Sequence, residues 1–491
     1  MSSTIILACV IVYSVLLFGI TKLTSRGANN ESFFVGNRSS KWYLVTYGMI
    51  GASLSGVTFI SVPGAVGTAQ FGYLQVVLGY LVGYIVIALV LIPLYYRLNL
   101  TSIYSYLKQR FGNYSYKTGA LFFILSRTVG AAFRLYVVVN VLQTFVFNDL
   151  GVPFYLTVAV FIALILLYTY QGGVKTIIYT DTLQTTFMLL SVVLSIIFVM
   201  KELHLNIGDL YSKISHSNYG QIIFTDWQPK SFYMKQFFGG MFIAIAMTGL
   251  DQEMMQKNIS CKTVGEAKKN ILTFSAVMLI VNIMFLILGA LLYIYANESS
   301  IPLMINEKGK IIGDHVFPTI ALQHFGTLSG IFFIIGLISA AYPSADGALT
   351  ALTSVFCLDF LGLKENQLKT EEQKIKIRHI VHFSFAGILL LVIVIFKLIN
   401  NDSVINDLFT WAGYTYGPLL GLYSFGLFTK KQVKDKFVPL VCILSPFICI
   451  WLNAHSVSLF NGYKFGFEML ILNGLFTYIG LWMISKKADQ I

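Results

Sequence analysis

The sequence predicts an all-α integral membrane protein with about 13 transmembrane helices. Three observations carry that prediction. Of 491 residues, 56% are hydrophobic and 11% are charged, and mean hydropathy is +0.74; a soluble globular chain carries about 25% charged residues. Apolar runs of about 20 residues, long enough to cross a ~30 Å hydrocarbon core, recur along the whole length. The stretches between them reach only about 30 residues, which leaves no soluble domain.

The runs fall at roughly 3–24, 42–68, 73–98, 114–147, 152–170, 177–201, 232–256, 270–296, 327–359, 379–400, 404–428, 436–454 and 465–485. The first is too long for a signal-peptide core, and Lys22 and Arg26 follow it rather than precede it, so it reads as a retained helix. The connections at 22–41, 97–117, 175, 257–269, 364–378, 430–436 and 486–487 hold 24 of the 34 basic residues. The basic side faces the cytoplasm, which puts the N-terminus outside and the C-terminus inside a plasma (inner) membrane. The net charge of +12 is thus a topology signal, spread over separate loops, and does not point to nucleic acid.

Two spans look broken. The second carries GASLSG (51–56), and Pro63 and Gly64 are expected to close it. The seventh carries Gly239, Gly240, Thr248 and Gly249. Glycine and small polar residues loosen a helix in lipid, and the freed carbonyls must then face protein, ion or water. The two broken spans stand five apart, so each opens a five-helix unit, and the pair matches an inverted repeat with a midplane site. The competing reading is that these glycines allow close helix packing. TSIYSYLKQRFG (101–112) suits an interfacial helix, and the external stretch 297–325 has room for another short helix.

The chemistry-bearing residues lie inside apolar segments. Asp181 and Asp346 each sit among small and hydroxyl residues. A carboxylate at membrane depth costs roughly 2.5–3.5 kcal/mol, so such a residue reads first as part of an ion or substrate path. The competing reading has each aspartate satisfying a nearby backbone or hydroxyl group. Arg127 and Arg134, seven residues apart, share one helical face. A guanidinium there suits a carboxylate on a substrate, and equally a structural partner. Cys9, Cys261, Cys357, Cys442 and Cys449 show no CxxC spacing and read as packing residues. The seven histidines are scattered, with no HExxH or GxSxG, so no catalytic constellation is present.

YTYQGGVKTIIYTDTLQ (168–184), AAYPSADGAL (340–349) and DQEMMQKNISCKTVGEAKKN (251–270), within a likeness running from ESFFVGNRSSKW (31–42) to TWAGYTYGPLLGLYSFGLF (410–428), resemble the sodium:solute symporters. That family holds sodium-coupled sugar, proline, sialate, iodide and carboxylate carriers. The resemblance implies a LeuT-type five-plus-five inverted repeat. Residues 1–40 would hold an extra helix and cytoplasmic loop, 41–205 and 206–430 the two repeats, and 431–491 two further helices.

It implies a main sodium site formed by the Gly51 and Leu54 carbonyls, the Ala340 carbonyl and the Ser344 hydroxyl. The family has two adjacent hydroxyls where this chain has Pro343 and Ser344. Pro343 frees a carbonyl one turn earlier, which offers a replacement ligand. Asp181 matches a carboxylate that some members use for a second sodium or an exit route, and Asp346 falls where some of those members place a serine ligand. The two carboxylates could hold Na⁺ or a shared proton, and Gln184, one turn from Asp181, is as well placed to orient that carboxylate as to touch an ion. Ser53, Ser55, Thr58 and Gln75 match solute-lining positions, with Arg134 added by its chemistry. The arginine that the sialate carriers have on the fourth span falls nearest Gly130 here. Tyr414 and Tyr416 are candidate gate residues.

The implied function is sodium-coupled import of a small organic solute by alternating access, the solute being an anion such as a sialate or carboxylate, or a sugar or amino acid. Its partners are that solute, Na⁺ and the lipid bilayer, with no organic cofactor and no nucleic acid. The alternative is a transporter-like membrane sensor with vestigial transport, which the missing hydroxyl at Pro343 would suit.

Overall fold

In lipid a backbone must satisfy its own hydrogen bonds, and helices do so within one segment. The computed structural model is accordingly helical almost throughout. It describes residues 3–24, 33–34, 38–365, 368–399 and 404–486. Glu31, Ser32, Val35, Gly36 and Asn37 of the ESFFVGNRSSKW segment, and the side chains at 170–173 and 175, lie outside the described set.

The helices run α1 (Ser3–Thr24), α2 (Trp42–Ser53), α3 (Gly56–Ala69), α4 (Tyr73–Arg97), α5 (Ser105–Arg110), α6 (Asn113–Phe147), α7 (Phe154–Glu202), α8 (Ile207–Ser215) and α9 (Tyr233–Ala244, continued by a wide turn Ile245–Gly249). There follow α10 (Gln252–Asn258), α11 (Val264–Glu298), α12 (Gly313–Thr319), α13 (Thr327–Phe360), α14 (Glu371–Ile399), α15 (Val404–Phe428), α16 (Val438–Ala454), α17 (Ser456–Leu459) and α18 (Met469–Met483). A two-residue antiparallel pairing, Gln432–Val433 with Ser485–Lys486, ties the tail to the end of α15.

Among the described residues eight helices are long and apolar enough to cross a membrane, and the bent pair α2–α3 makes a ninth. Phe154–Thr169 and Met469–Met483 are shorter apolar helices, so this measure does not reach the expected 13. Two expected spans merge in α7, one helical run of 49 residues. At 1.5 Å per residue it would extend about 74 Å, beyond a single ~30 Å crossing. Its glycine pair costs about 1 kcal/mol per residue in helix propensity, which weakens the helix without ending it.

Close glycine contacts set how the helices cross. A Cβ on Gly79 would meet the Phe237 carbonyl, and one on Gly240 the Val76 carbonyl, so α4 and α9 pack backbone to backbone. Gly239 and Gly240 therefore serve packing, and the seventh span breaks later, at Leu250 and Asp251. Pro63 and Gly64 do not close the second span. The helix passes through both to Ala69, and Gly64 is where the backbone of Gly313 crosses α3. Tyr293 on α11 donates to the Gly64 carbonyl at 2.6 Å. The expected interfacial helix is α5, though Arg110 at its end donates to the carbonyls of Gly426, Thr429 and Lys431, pinning it beneath α15. α1 lies against α7 and α13, with Tyr13 and Ser14 bonded to Ser339 and Tyr342.

Candidate functional site

The chain leaves helical geometry at Leu54 (φ −80°, ψ 91°) and Ser55 (φ −93°, ψ 179°), and α3 resumes at 57° to α2. Glycine permits this break to sit among its neighbours. A Cβ on Gly51 would strike Thr185 Oγ1, and one on Gly56 would strike Val138 and crowd the Arg134 carbonyl. The last carbonyls of α2 and the first N–H groups of α3 have no intrahelical partners. The negative end of α2 favours a cation and the positive end of α3 an anion. One break thus offers both signs side by side.

A central cavity of about 70 Å³ opens beside the break. Ser53, Ser55 and Thr58 line it from α2 and α3, Arg134 from α6, and Asn282 from α11. Above it Tyr73 and Phe409 stack with ring centres 6.5 Å apart, and the Tyr73 and Tyr80 hydroxyls are 3.3 Å apart. Arg134 has no carboxylate within ion-pairing distance among the described residues, and its buried Nε has no hydrogen-bond partner. Asn282 spends its amide N–H on the Met278 carbonyl and leaves its buried oxygen unbonded. The cavity therefore presents one unpaired cation, one open acceptor and several hydroxyls.

Beneath it lies a dense buried charge cluster. Arg127 on α6 pairs directly with Glu253 on α10 and stands 3.7 Å from Asp251 Oδ2. Asp251 caps α10 by accepting from the Met254 N–H at 3.2 Å, and also accepts from Tyr416 of α15 at 2.6 Å. Lys257 Nζ lies 2.7 Å from Asp181 Oδ2 and 3.7 Å from Glu253 Oε1. Gly347 on α13 gives Glu253 its room, since a Cβ there would overlap the carboxylate. Four helices, α6, α7, α10 and α15, are thus clasped at one level.

The expected site residues divide into three groups. Ser53, Ser55, Thr58 and Arg134 meet in the cavity. Gly51 and Leu54 lie at the break, while Ala340, Pro343 and Ser344 lie buried on α13, which packs against α2. Ser344 Oγ bonds back to the Ala340 carbonyl at 3.3 Å, and α13 continues through Pro343.

The third group is placed elsewhere or already engaged. Gln75 does not line the cavity; its amide bonds the Gly72 and Ser231 carbonyls and fixes the loop that leads into α9. Asp181 is paired with Lys257. Asp346 accepts from the Tyr168 hydroxyl at 2.8 Å. Gln184 is buried and unbonded, so it does not orient Asp181. Tyr414 turns away, accepting from Asn453, while Tyr416 joins the clasp. Gly130 lies one turn before Arg134 and shares its recess.

Sequence reasoning missed the partners of Arg127. Asp251 and Glu253 stand in the DQEMMQK segment together with Lys257, which the sequence places among the basic residues of the 257–269 connection. It is instead 1% exposed. The signal was the Glu253–Lys257 spacing of four, which places opposite charges on one helical face.

The start of α12 holds a titrating group. Asp314, in the first turn of α12, is pushed up to about 6 by burial, partly offset by Ser61 and the Val404 N–H. The folded state then binds this proton more readily than the unfolded chain between about pH 4 and pH 6, so stability falls as pH rises through that window. Melting in detergent from pH 4 to 7 is expected to show this decline, a shift of a few degrees, and Asp314→Asn is expected to make it shallower. An equal slope in the variant would remove Asp314 as the cause.

The model of the sodium:solute symporter family matches residues 33–435. The chain belongs to the sodium:solute symporter family. The sodium/sialic acid symporter NanT of Aliivibrio fischeri is 25% identical over 97% of this chain and 93% of its own. The sodium/sialic acid symporter SiaT of Proteus mirabilis is 24% identical over 85% and 83%. A substrate-bound, outward-open Na⁺-coupled sialic acid symporter superposes with a TM-score of 0.82 at 20% identity, covering 99% of both chains. The fold is therefore that of a sodium-coupled carrier, and this symporter family member is a multi-pass membrane transporter and not an enzyme. The sensor alternative is not favoured.

Proposed function

We propose that this symporter imports a sialic-acid-like sugar acid with sodium across the plasma membrane. The observation that carries the solute class is Arg134, a cavity guanidinium with no protein carboxylate. Guanidinium and carboxylate pair bidentately, and the break adds the positive end of α3. The hydroxyls of Ser53, Ser55 and Thr58 and the open Asn282 oxygen suit a polyhydroxylated body. Two relatives named as sialic acid symporters support the same class.

Sodium is assigned to the Gly51, Leu54 and Ala340 carbonyls and the Ser344 hydroxyl, with the carbonyl freed by Pro343 nearby. These are hard oxygen ligands, and weak enough for the ion to leave. Residues 41–205 and 206–430 form the two repeats, which rock about this site, with residues 1–40 before them and 431–491 after. The N-terminus faces outside and the C-terminus the cytoplasm. A cavity of about 70 Å³ lies well below the 300–1,000 Å³ of most ligand pockets, so loading requires the Tyr73–Phe409 lid to part.

A thermal-shift screen tests this. N-acetylneuraminate is expected to stabilise the purified protein more in NaCl than in KCl, by mass action, while neutral hexoses are not. Ser344→Ala is expected to shrink the sodium synergy. Equal shifts in both salts, or stabilisation by neutral sugars instead, would overturn the proposal.

A further inference from the structure

Lys257 occupies the place beside Asp181 and Asp346 where the family resemblance leads one to expect a second sodium ion. Its ammonium is 1% exposed, on the seven-residue helix α10, and lies 2.7 Å from Asp181 Oδ2. Glu253 Oε1 is 3.7 Å away, and Asp346 lies within its electrostatic reach. Asp346 is itself served by the Tyr168 hydroxyl. Asp181 Oδ1 and Glu253 Oε1 have no hydrogen bonds, yet both belong to carboxylates that already face this ammonium. A sodium ion placed on those oxygens would meet a like charge at contact distance. A buried ammonium and a monovalent metal ion ask for the same thing, a small cage of oxygens with net negative charge, and the cage holds one or the other.

We infer that Lys257 is a tethered cation that fills the Asp181–Glu253–Asp346 cage, so that each transport cycle carries one sodium ion, at the break, and not two. The inference rests on the sodium-coupled reading above and narrows it to a stoichiometry. It also gives α10 a role. The cage is closed by a residue of the short helix α10, so a displacement of α10 would withdraw the cation from α7.

Sodium binding itself is the test, with ²²Na⁺ as the probe and no solute present. Equilibrium binding to the purified wild-type protein is expected to saturate at one ion per chain. Lys257→Met is expected to raise this to two, and to change the sodium dependence of the melting temperature from a Hill coefficient near 1 to one approaching 2. Lys257→Met/Asp181→Asn, which removes both charges of the pair, is expected to return it to one. Two ions in the wild type would overturn the inference while leaving sodium coupling intact, and this holds even where Lys257→Met does not fold. One ion in a folded Lys257→Met protein would overturn it equally. No sodium binding in the wild type would overturn the coupling reading and this inference with it.

Discussion

Arg127→Met is expected to lower stability by about 3–5 kcal/mol, the cost of breaking a buried ion pair by deleting one partner. The guanidinium faces Glu253 and Asp251, each 0% exposed. Its removal leaves two carboxylates in the membrane interior with Tyr416, the Met254 N–H and Lys257 as their remaining support. Thermal or denaturant unfolding in detergent measures the loss. The double variant Arg127→Met/Glu253→Gln is expected to recover much of it, because the stranded charge goes with its partner. A strongly non-additive double-mutant cycle is the signature of direct coupling. Additive losses would mean that the pair is incidental to the fold. Arg127→Lys is expected to fall between, keeping the charge without the planar fork.

Arg134→Met is expected to behave in the opposite way. Its guanidinium is desolvated without a carboxylate partner, so replacing it relieves a cost and stability is expected to hold or rise. Affinity for an acidic solute is expected to fall about 100-fold, roughly the 2–3 kcal/mol of a charged hydrogen-bonded pair. Calorimetric titration with N-acetylneuraminate in sodium buffer measures this, and Arg134→Lys is expected to restore only part of the loss. Two arginines one heptad apart on α6 would then differ in kind. Unchanged affinity in a folded Arg134→Met protein would assign the residue to structure and sink the anionic solute.

Much of this is legible in the sequence itself. The break at Gly51–Gly56 could be read because glycine and serine in an apolar run have few other uses, and the structure places it at Leu54–Ser55. The boundaries of most spans followed from hydropathy alone. The misplaced features share a cause. Pro63, Gly64, Gly239 and Gly240 carry the same residue types as a helix break, but what they do depends on which backbone crosses them, and that is a tertiary fact. Gln75 looked like a lining residue because it is polar in a span, yet its partners are carbonyls in a loop and a helix start. The charge cluster was the largest omission. Arg127 was visible, but its acids lie over 120 positions later, in a segment whose charges resembled an ordinary loop boundary.

The one-sodium stoichiometry inferred from the Lys257–Asp181 pair, together with the proposed anionic solute, would have an energetic consequence for the cell. One sodium carried with one monovalent anion makes the cycle electroneutral. Such a carrier gains nothing from the membrane potential, forgoing about 2.3 kcal/mol per 100 mV that an additional sodium would harvest. Its accumulation ratio is then capped by the sodium concentration gradient alone. A tenfold gradient, worth about 1.4 kcal/mol, supports about tenfold enrichment, and depolarising the membrane would leave uptake untouched.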